Sequence, residues 1–217
     1  MDYTIERLHI FSGINKNDAE KMIKCLHAEY REYEKNEIVL LEGSQITKIG
    51  IVLSGHARSS KTDASGKSVI ISLLEEGSYI GVLLAASFDR KSPVTVQATE
   101  RLSVLFFRME QAVGICGSVC QCHKTLLLNL FDGIAEKALA LHDRNDCLIK
   151  QTIRDKALTF LTRVANEKVS RSFMVPLDRK AMAEYLNVDR SALSRELSNM
   201  KKDGLIDFYK NSFKLLV

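Results

Sequence analysis

The chain has 217 residues, 46% of them hydrophobic and 27% charged, with a formal net charge of +4. That apolar fraction excludes a disordered chain, and two Pro with eleven Gly exclude collagen-like and low-complexity classes. No run approaches the roughly 18 apolar residues of a membrane span, and Met1–Arg7 carries acids in place of a signal-peptide core, so a cytoplasmic protein without membrane contact is expected.

Residues 14–31 read as a helix, with Asn17-Asp18 as cap and Ala19, Met22, Ile23, Leu26 and Tyr30 at helical spacing. From Glu37 to Phe107 the texture changes to short Val/Ile/Leu-rich segments punctuated by Gly43, Gly50, Gly55, Gly66, Gly77 and Gly81. The predicted strands are 37–41, 49–53, 56–61, 68–74, 94–98 and 102–107, a spacing that means an antiparallel sandwich or barrel. Helix returns near Val119. Leu127, Leu130, Ile134 and Leu141 lie close to a heptad seam, which fits either a core-facing helix or a dimer contact. Asp143-Arg144-Asn145-Asp146 reads as a polar break and a domain boundary. A helix over about 150–168, a loop at Ser170-Arg171-Ser172, helices over 179–186 and 190–202, and a closing hairpin from Gly204 to Val217 complete the pattern.

The C-terminal third is basic. Residues 148–217 hold 14 Lys+Arg against 8 Asp+Glu, whereas residues 1–147 hold 17 against 19. A basic third on a slightly acidic body points to a polyanionic partner. Within it, Asp178 can cap a helix whose buried positions are Ala181, Met182, Ala183 and Leu186. Asn187-Val188-Asp189 makes a turn that needs a left-handed residue, and Asn tolerates that conformation. Leu193, Leu197 and Met200 bury one face of the next helix, leaving Arg190, Ser191, Ser194 and Arg195 on its exposed first turns. This is a helix-turn-helix, whose second helix meets base edges in the major groove. Arg195 suits bidentate reading of guanine, and Ser191 and Ser194 suit bases or phosphates. Arg179, Lys201, Lys202 and Lys210 are candidates for the DNA-facing side, the lysines for phosphates.

The five cysteines, an odd number, read as reduced thiols. Cys116, Cys120, Cys122 and His123 form C-x3-C-x-C-H without a second ligand pair, so no metal is expected; a thiol redox switch is the alternative use of Cys116, Cys120 and Cys122. No nucleophile elbow, P-loop, GxGxxG or HExxH is present, and the chain does not read as an enzyme.

Taken together, Leu8–Ile14, Glu42-Gly43, Val52–Gly55, Gly66-Lys67, Glu76–Gly81, Val94–Ala98, Asp178–Leu186 and Arg190–Arg195 resemble the CRP/FNR superfamily over nearly the whole chain. The resemblance implies an α+β protein. An N-terminal antiparallel β-roll (jelly-roll-like, 1–118) senses a small-molecule effector, a long dimerisation helix (119–145) carries Leu127, Leu130, Ile134 and Leu141, and a C-terminal winged helix-turn-helix (146–217) binds DNA. It further implies a homodimer on a palindromic double-stranded site and, for an activator, contact with RNA polymerase. Effector residues would be Gly81, Val82, Arg90, Lys91 and Ser92. Two positions depart from the cyclic-nucleotide-binding pattern. Val82 stands where a ribose-binding Glu is found, and Lys91-Ser92 stands where Arg-Ser holds phosphate, so a planar bidentate fork is missing. The effector is therefore expected not to be cyclic AMP. Ser191 replaces the Glu of many relatives, which predicts a different half-site at that base pair.

Overall fold

The computed structural model describes residues 8–62, 66, 68–85, 87–114 and 121–216. The described residues form two compact units, one from those within 1–61 and 71–138 and the other from those within 62–70 and 139–217.

In the first unit, α1 spans Lys16–Cys25. Its N-cap is Asn15, not Asn17-Asp18: the Asn15 side-chain oxygen Oδ1 accepts from the Asp18 amide at 3.0 Å. The helix stops well short of residue 31. His27 turns left-handed at φ 46°, and the Ala28 amide bonds back to the Ile23 carbonyl at 3.0 Å, closing the last turn. The chain released there forms β1, Glu29–Tyr33. Strands β2 (Ile38–Leu40), β3 (Ile49–Ser54), β4 (Ala57–Thr62), β5 (Ser68–Leu74), β6 (Tyr79–Ile80), β7 (Thr95–Ala98) and β8 (Leu102–Phe107) follow, with a short helix α2 at Val82–Ala85; the end of β4 and the start of β5 fall in the 62–70 stretch counted with the second unit. They make two four-stranded sheets, ordered β1-β8-β3-β6 and β2-β7-β4-β5. Every pairing resolved between them is antiparallel.

The period-2 alternation of β3 and β8 explains why both faces of the first sheet are apolar. Ile49, Ile51, Leu53, Leu105 and Phe107 point into a core shared with Met22 and Leu26 of α1. Val52, Leu102 and Val104 point the other way, into a second core with Ala57, Leu74, Val96 and Ala98. Helix α3 (Met109–Val113) ends this part, and the long helix α4 spans Gln121–Leu148. On α4, Leu126 and Leu130 are buried in the first core and Ile134 packs against it.

Residues 143–146 do not break α4. Arg144 and Cys147 turn inward, 7% and 1% exposed, while Asn145 stays at the surface, so the polar run is amphipathic and the helix continues. In the second unit, α5 (Ile153–Glu167) is capped by Thr152, whose hydroxyl accepts from the Asp155 amide at 3.0 Å. Ser172 belongs to β9 (Ser172–Met174), not to a loop. Helix α6 (Arg179–Leu186), helix α7 (Arg190–Lys202) and strands β10 (Ile206–Tyr209) and β11 (Ser212–Leu215) complete it, with β10-β11-β9 as a three-stranded sheet.

Candidate functional site

The turn between α6 and α7 follows from its residues. Asp178 accepts from the Ala181 amide at 2.7 Å and starts α6. Asn187 adopts φ 50°, and the Val188 amide bonds to the Ala183 carbonyl at 3.0 Å, ending α6. Asp189 restarts the chain as a helix by accepting from the Ala192 amide at 2.8 Å. Ala183, Leu186, Leu193, Leu197 and Met200 are buried. That leaves Arg190, Ser191 and Arg195 on the exposed face of α7, with Ser194 half-buried beside them.

These four side chains are not equally available. The Ser191 hydroxyl donates to the Asp189 carboxylate at 2.5 Å, and the Ser194 hydroxyl donates to the Arg190 carbonyl at 2.9 Å. The structure thus brings Arg190, Ser191, Ser194 and Arg195 together. Arg179 and Lys201 are occupied elsewhere. Arg179 donates to the Lys210 carbonyl at 3.1 Å and stacks over the Phe208 and Phe213 rings at 5.1 and 5.4 Å. Burial pushes its guanidinium pKa down. Lys201 pairs with Asp207 at 2.5 Å, donates to the Phe208 carbonyl at 3.3 Å and lies over the Phe208 ring at 5.4 Å. Both cations hold the β10–β11 hairpin against the helices, because an aromatic ring on that hairpin offers each a stacking surface. Lys202 is exposed, and Lys210 sits at the hairpin tip with φ 52°.

A residue not singled out in the sequence positions α7. Arg154 of α5 bonds to Glu196 at 2.6 Å and to Asp203 at 2.7 Å, so one guanidinium grips the middle and the end of the helix. Asp189 yields a pH prediction. The Ser191 hydroxyl and the Ala192 amide hold its carboxyl below the usual range. A depressed folded-state pKa contributes stability that is present above the unfolded value of ~3.9 and lost as pH falls through the folded value. Asp189→Asn is therefore expected to flatten the part of the acid unfolding curve below about pH 4. An acid limb identical to the parent's would count against an ionised cap.

The segment around Gly81 forms a second cluster. Gly81 has φ +74°, and a Cβ there would lie 3.1 Å from the Ile46 side chain. The Ile46 amide in turn bonds to the Arg90 carbonyl at 2.7 Å, and the Ser92 amide to the Ser44 carbonyl at 3.0 Å. Gly81, Arg90 and Ser92 are thus linked through residues 44–46. Val82 is 2% exposed and part of the first core. The polar groups are spoken for: Arg90 pairs with Glu110 at 2.9 Å, and the Ser92 hydroxyl donates to the Val94 carbonyl at 2.6 Å. Lys91 is exposed and bridges to Gln45.

Nearby, the Tyr79 ring fills the notch left by Gly133 of α4, where a Cβ would meet it at 2.2 Å. The Tyr79 hydroxyl is buried without a hydrogen-bond partner among the described residues, and burial, then Glu136 and Asp132, push its pKa up to about 12. A glycine inside a long helical pattern was the sequence signal for this close approach.

On α4, Leu130 and Ile134 belong to the chain's own core, and Leu127 and Leu141 are half-buried. The apolar side chains of α4 that face solvent are Leu128, Phe131, Ala135, Ala138, Leu139 and Ala140. Of the positions expected as a seam, Leu130 and Ile134 thus pack into the core of their own chain, while Leu127 and Leu141 stay partly accessible. Cys116 and Cys120 lie outside the described residues. Cys122 is half-buried, and among the described residues no group of three or more His, Cys, Asp and Glu could hold a metal ion. No helix among the described residues is long and apolar enough to cross a membrane.

Comparison with known proteins assigns the two regions. Residues 30–118 match the family model for a cyclic nucleotide-binding domain, and residues 156–216 match that for a Crp-like helix-turn-helix domain. The transcriptional activator protein FnrL of Cereibacter sphaeroides is 25% identical over 191 residues, 82% of this chain and 72% of that protein. A global nitrogen regulator of Synechocystis is 21% identical over 192 residues, 82% of this chain and 80% of that protein. Among solved structures, FixK2 from Bradyrhizobium japonicum shares the fold with a TM-score of 0.69 at 21% identity, covering 87% of this chain and 92% of that one. A CooA mutant from Carboxydothermus hydrogenoformans does so with a TM-score of 0.75 at 17% identity, covering 97% and 91%. With a cyclic-nucleotide-binding-type domain of two antiparallel sheets, a long helix and a Crp-like helix-turn-helix in that order, the chain belongs to the CRP/FNR superfamily of DNA-binding transcription regulators.

Proposed function

We propose that the chain works as a homodimer that reads an inverted-repeat duplex with α7 and is controlled by a small effector, other than cyclic AMP, in its N-terminal domain. The observation that carries the DNA reading is the exposed start of α7, where Arg195 makes no hydrogen bond or close ion pair among the described residues while the helix beneath it is pinned by Asp189 and Arg154. Arg190, Ser194 and Arg195 are assigned to the groove. Lys202 and Lys210 take the phosphates, since Arg179 and Lys201 are spent on the hairpin.

The dimer reading rests on the exposed apolar stripe of α4. Leu128, Phe131, Ala135 and Ala138 repeat at the alternating three- and four-residue spacing of a coiled-coil seam, and Leu139 borders it. A second copy of the same helix satisfies that pattern. Phe131, at 68% exposure, is the largest group on it. Phe131→Glu is expected to convert the protein from dimer to monomer in sedimentation velocity, and to weaken duplex binding in fluorescence anisotropy. A parent protein that sediments as a monomer at micromolar concentration would overturn the dimer.

The effector reading rests on the closed polar groups around Gly81. Val82 supplies no carboxylate, and Arg90 and Ser92 are bonded within the chain. A different anionic or apolar small molecule fits better than cyclic AMP. Cyclic AMP is expected to leave duplex affinity unchanged.

A further inference from the structure

Cys25 is the last residue of α1, and His123 lies near the start of α4, 98 positions away in sequence. The fold brings the Cys25 Sγ to 3.8 Å from the His123 Nε2, within hydrogen-bond range for sulfur. The two side chains differ in access. Cys25 is exposed, while His123 is buried at 8% exposure. A ring nitrogen fixed by packing is thus presented to a thiol that solvent reaches. Lys24 precedes the cysteine and Lys124 follows the histidine, so basic residues flank both. Cys147 is the contrasting case: it is 1% exposed, and burial pushes its thiol pKa up. Reactive cysteines combine access with a basic neighbour, and buried ones are inert.

We propose that Cys25 is an oxidisable thiol that reacts with peroxides, with His123 as its proton acceptor. In the step, the thiol proton passes to the imidazole and the thiolate attacks one peroxide oxygen. A sulfur–oxygen bond forms as the oxygen–oxygen bond breaks. The departing hydroxide takes the proton back from the imidazole and leaves as water. Sulfur loses two electrons to become a sulfenic acid, and the peroxide gains them. The inference is independent of the DNA-binding reading, since it concerns α1 and the start of α4 alone.

The test uses the full-length reduced protein, hydrogen peroxide and dimedone, with tryptic mapping. Cleavage after Lys24 and Arg31 gives a peptide whose single cysteine is Cys25. The expected result is dimedone capture on that peptide at least about tenfold faster than on the Cys147 peptide, with His123→Gln slowing it by about tenfold. Equal rates in the parent and the His123→Gln protein would overturn the proposal. A second measurement needs no variant: iodoacetamide labelling of Cys25 is expected to be faster in the native protein than in urea at the same pH. A native rate equal to or below the unfolded rate would overturn it as well.

Discussion

Arg195→Ala is expected to weaken binding to a specific duplex by about one to two decades, while binding to random DNA at the same salt changes much less. Asp189 caps α7, Leu193, Leu197 and Met200 bury its inner face, and Arg154 clamps its outer side to α5. The helix is therefore held in place whatever stands at position 195, and the substitution removes contacts without moving the scaffold. A bidentate arginine–guanine pair is worth about 1–3 kcal/mol of discrimination against the wrong base. Lys202→Ala is the matching control. A lost phosphate contact lowers affinity for all sequences alike and reduces the slope of affinity against salt by about one. An Arg195→Ala protein that still separates its specific duplex from random DNA as well as the parent does would show that this side chain is not a base reader.

Gly55→Ala is expected to cost the N-terminal unit at least about twice what Gly43→Ala costs. Both glycines have left-handed backbone, φ +82° and φ +79°. An alanine at either position pays about 1–2 kcal/mol for that conformation. Their surroundings separate them. Nothing lies within 4 Å of a Cβ at Gly43, whereas a Cβ at Gly55 would sit 2.2 Å from the Arg101 carbonyl oxygen. That oxygen is backbone in the link between β7 and β8, and it cannot swing aside as a side chain could. The turn at Gly55 carries the chain from β3 in one sheet to β4 in the other, and the Thr99 amide bonds to the neighbouring His56 carbonyl at 2.9 Å. Relief of the clash would pull on both sheets. A total cost of about 3 kcal/mol or more corresponds to a fall of roughly 10 °C in melting temperature. Equal melting points for the two alanine proteins would contradict the close approach.

Much of this was legible from residue order, and the gaps have physical causes. The α6–turn–α7 segment announces itself because its signals are local: Asp178 and Asp189 as caps, Asn187 as the left-handed residue, and apolar spacing on both helices. Strands β2, β3, β4, β5, β7 and β8 were legible from alternation and glycine punctuation, while β6 and β9, two and three residues long, are too short to show alternation. Strand β1 was not, because Tyr30 continues the helical spacing of α1 and the stop at His27 is made by a non-glycine left-handed residue. The continuation of α4 through residues 143–146 was hidden because Arg144 looks like a surface residue. It is buried over the Tyr185 ring at 5.1 Å, with a bond to the Tyr185 carbonyl at 3.2 Å. Arg179 and Lys201 look free in sequence and are not, since their aromatic partners lie on a hairpin formed later in the chain. On α4 the spacing leaves a core-facing helix and a dimer contact both open, because hydrophobicity alone does not tell a stripe that packs into the chain's own core from one exposed to solvent; Leu130 and Ile134 join that core. Nor can spacing reveal Cys25 beside His123, which only the tertiary fold brings together.

The central claim is that two copies of α7 read a two-fold symmetric DNA site. In vitro selection of the purified protein on a pool of random duplexes, followed by sequencing, addresses it directly. The account predicts enrichment of an inverted repeat whose half-sites are centred about one helical turn apart, roughly 10 base pairs. It also predicts that the motif is lost when selection is repeated with Arg195→Ala. Recovery of no motif, or of a single half-site without its symmetry mate, would contradict the account.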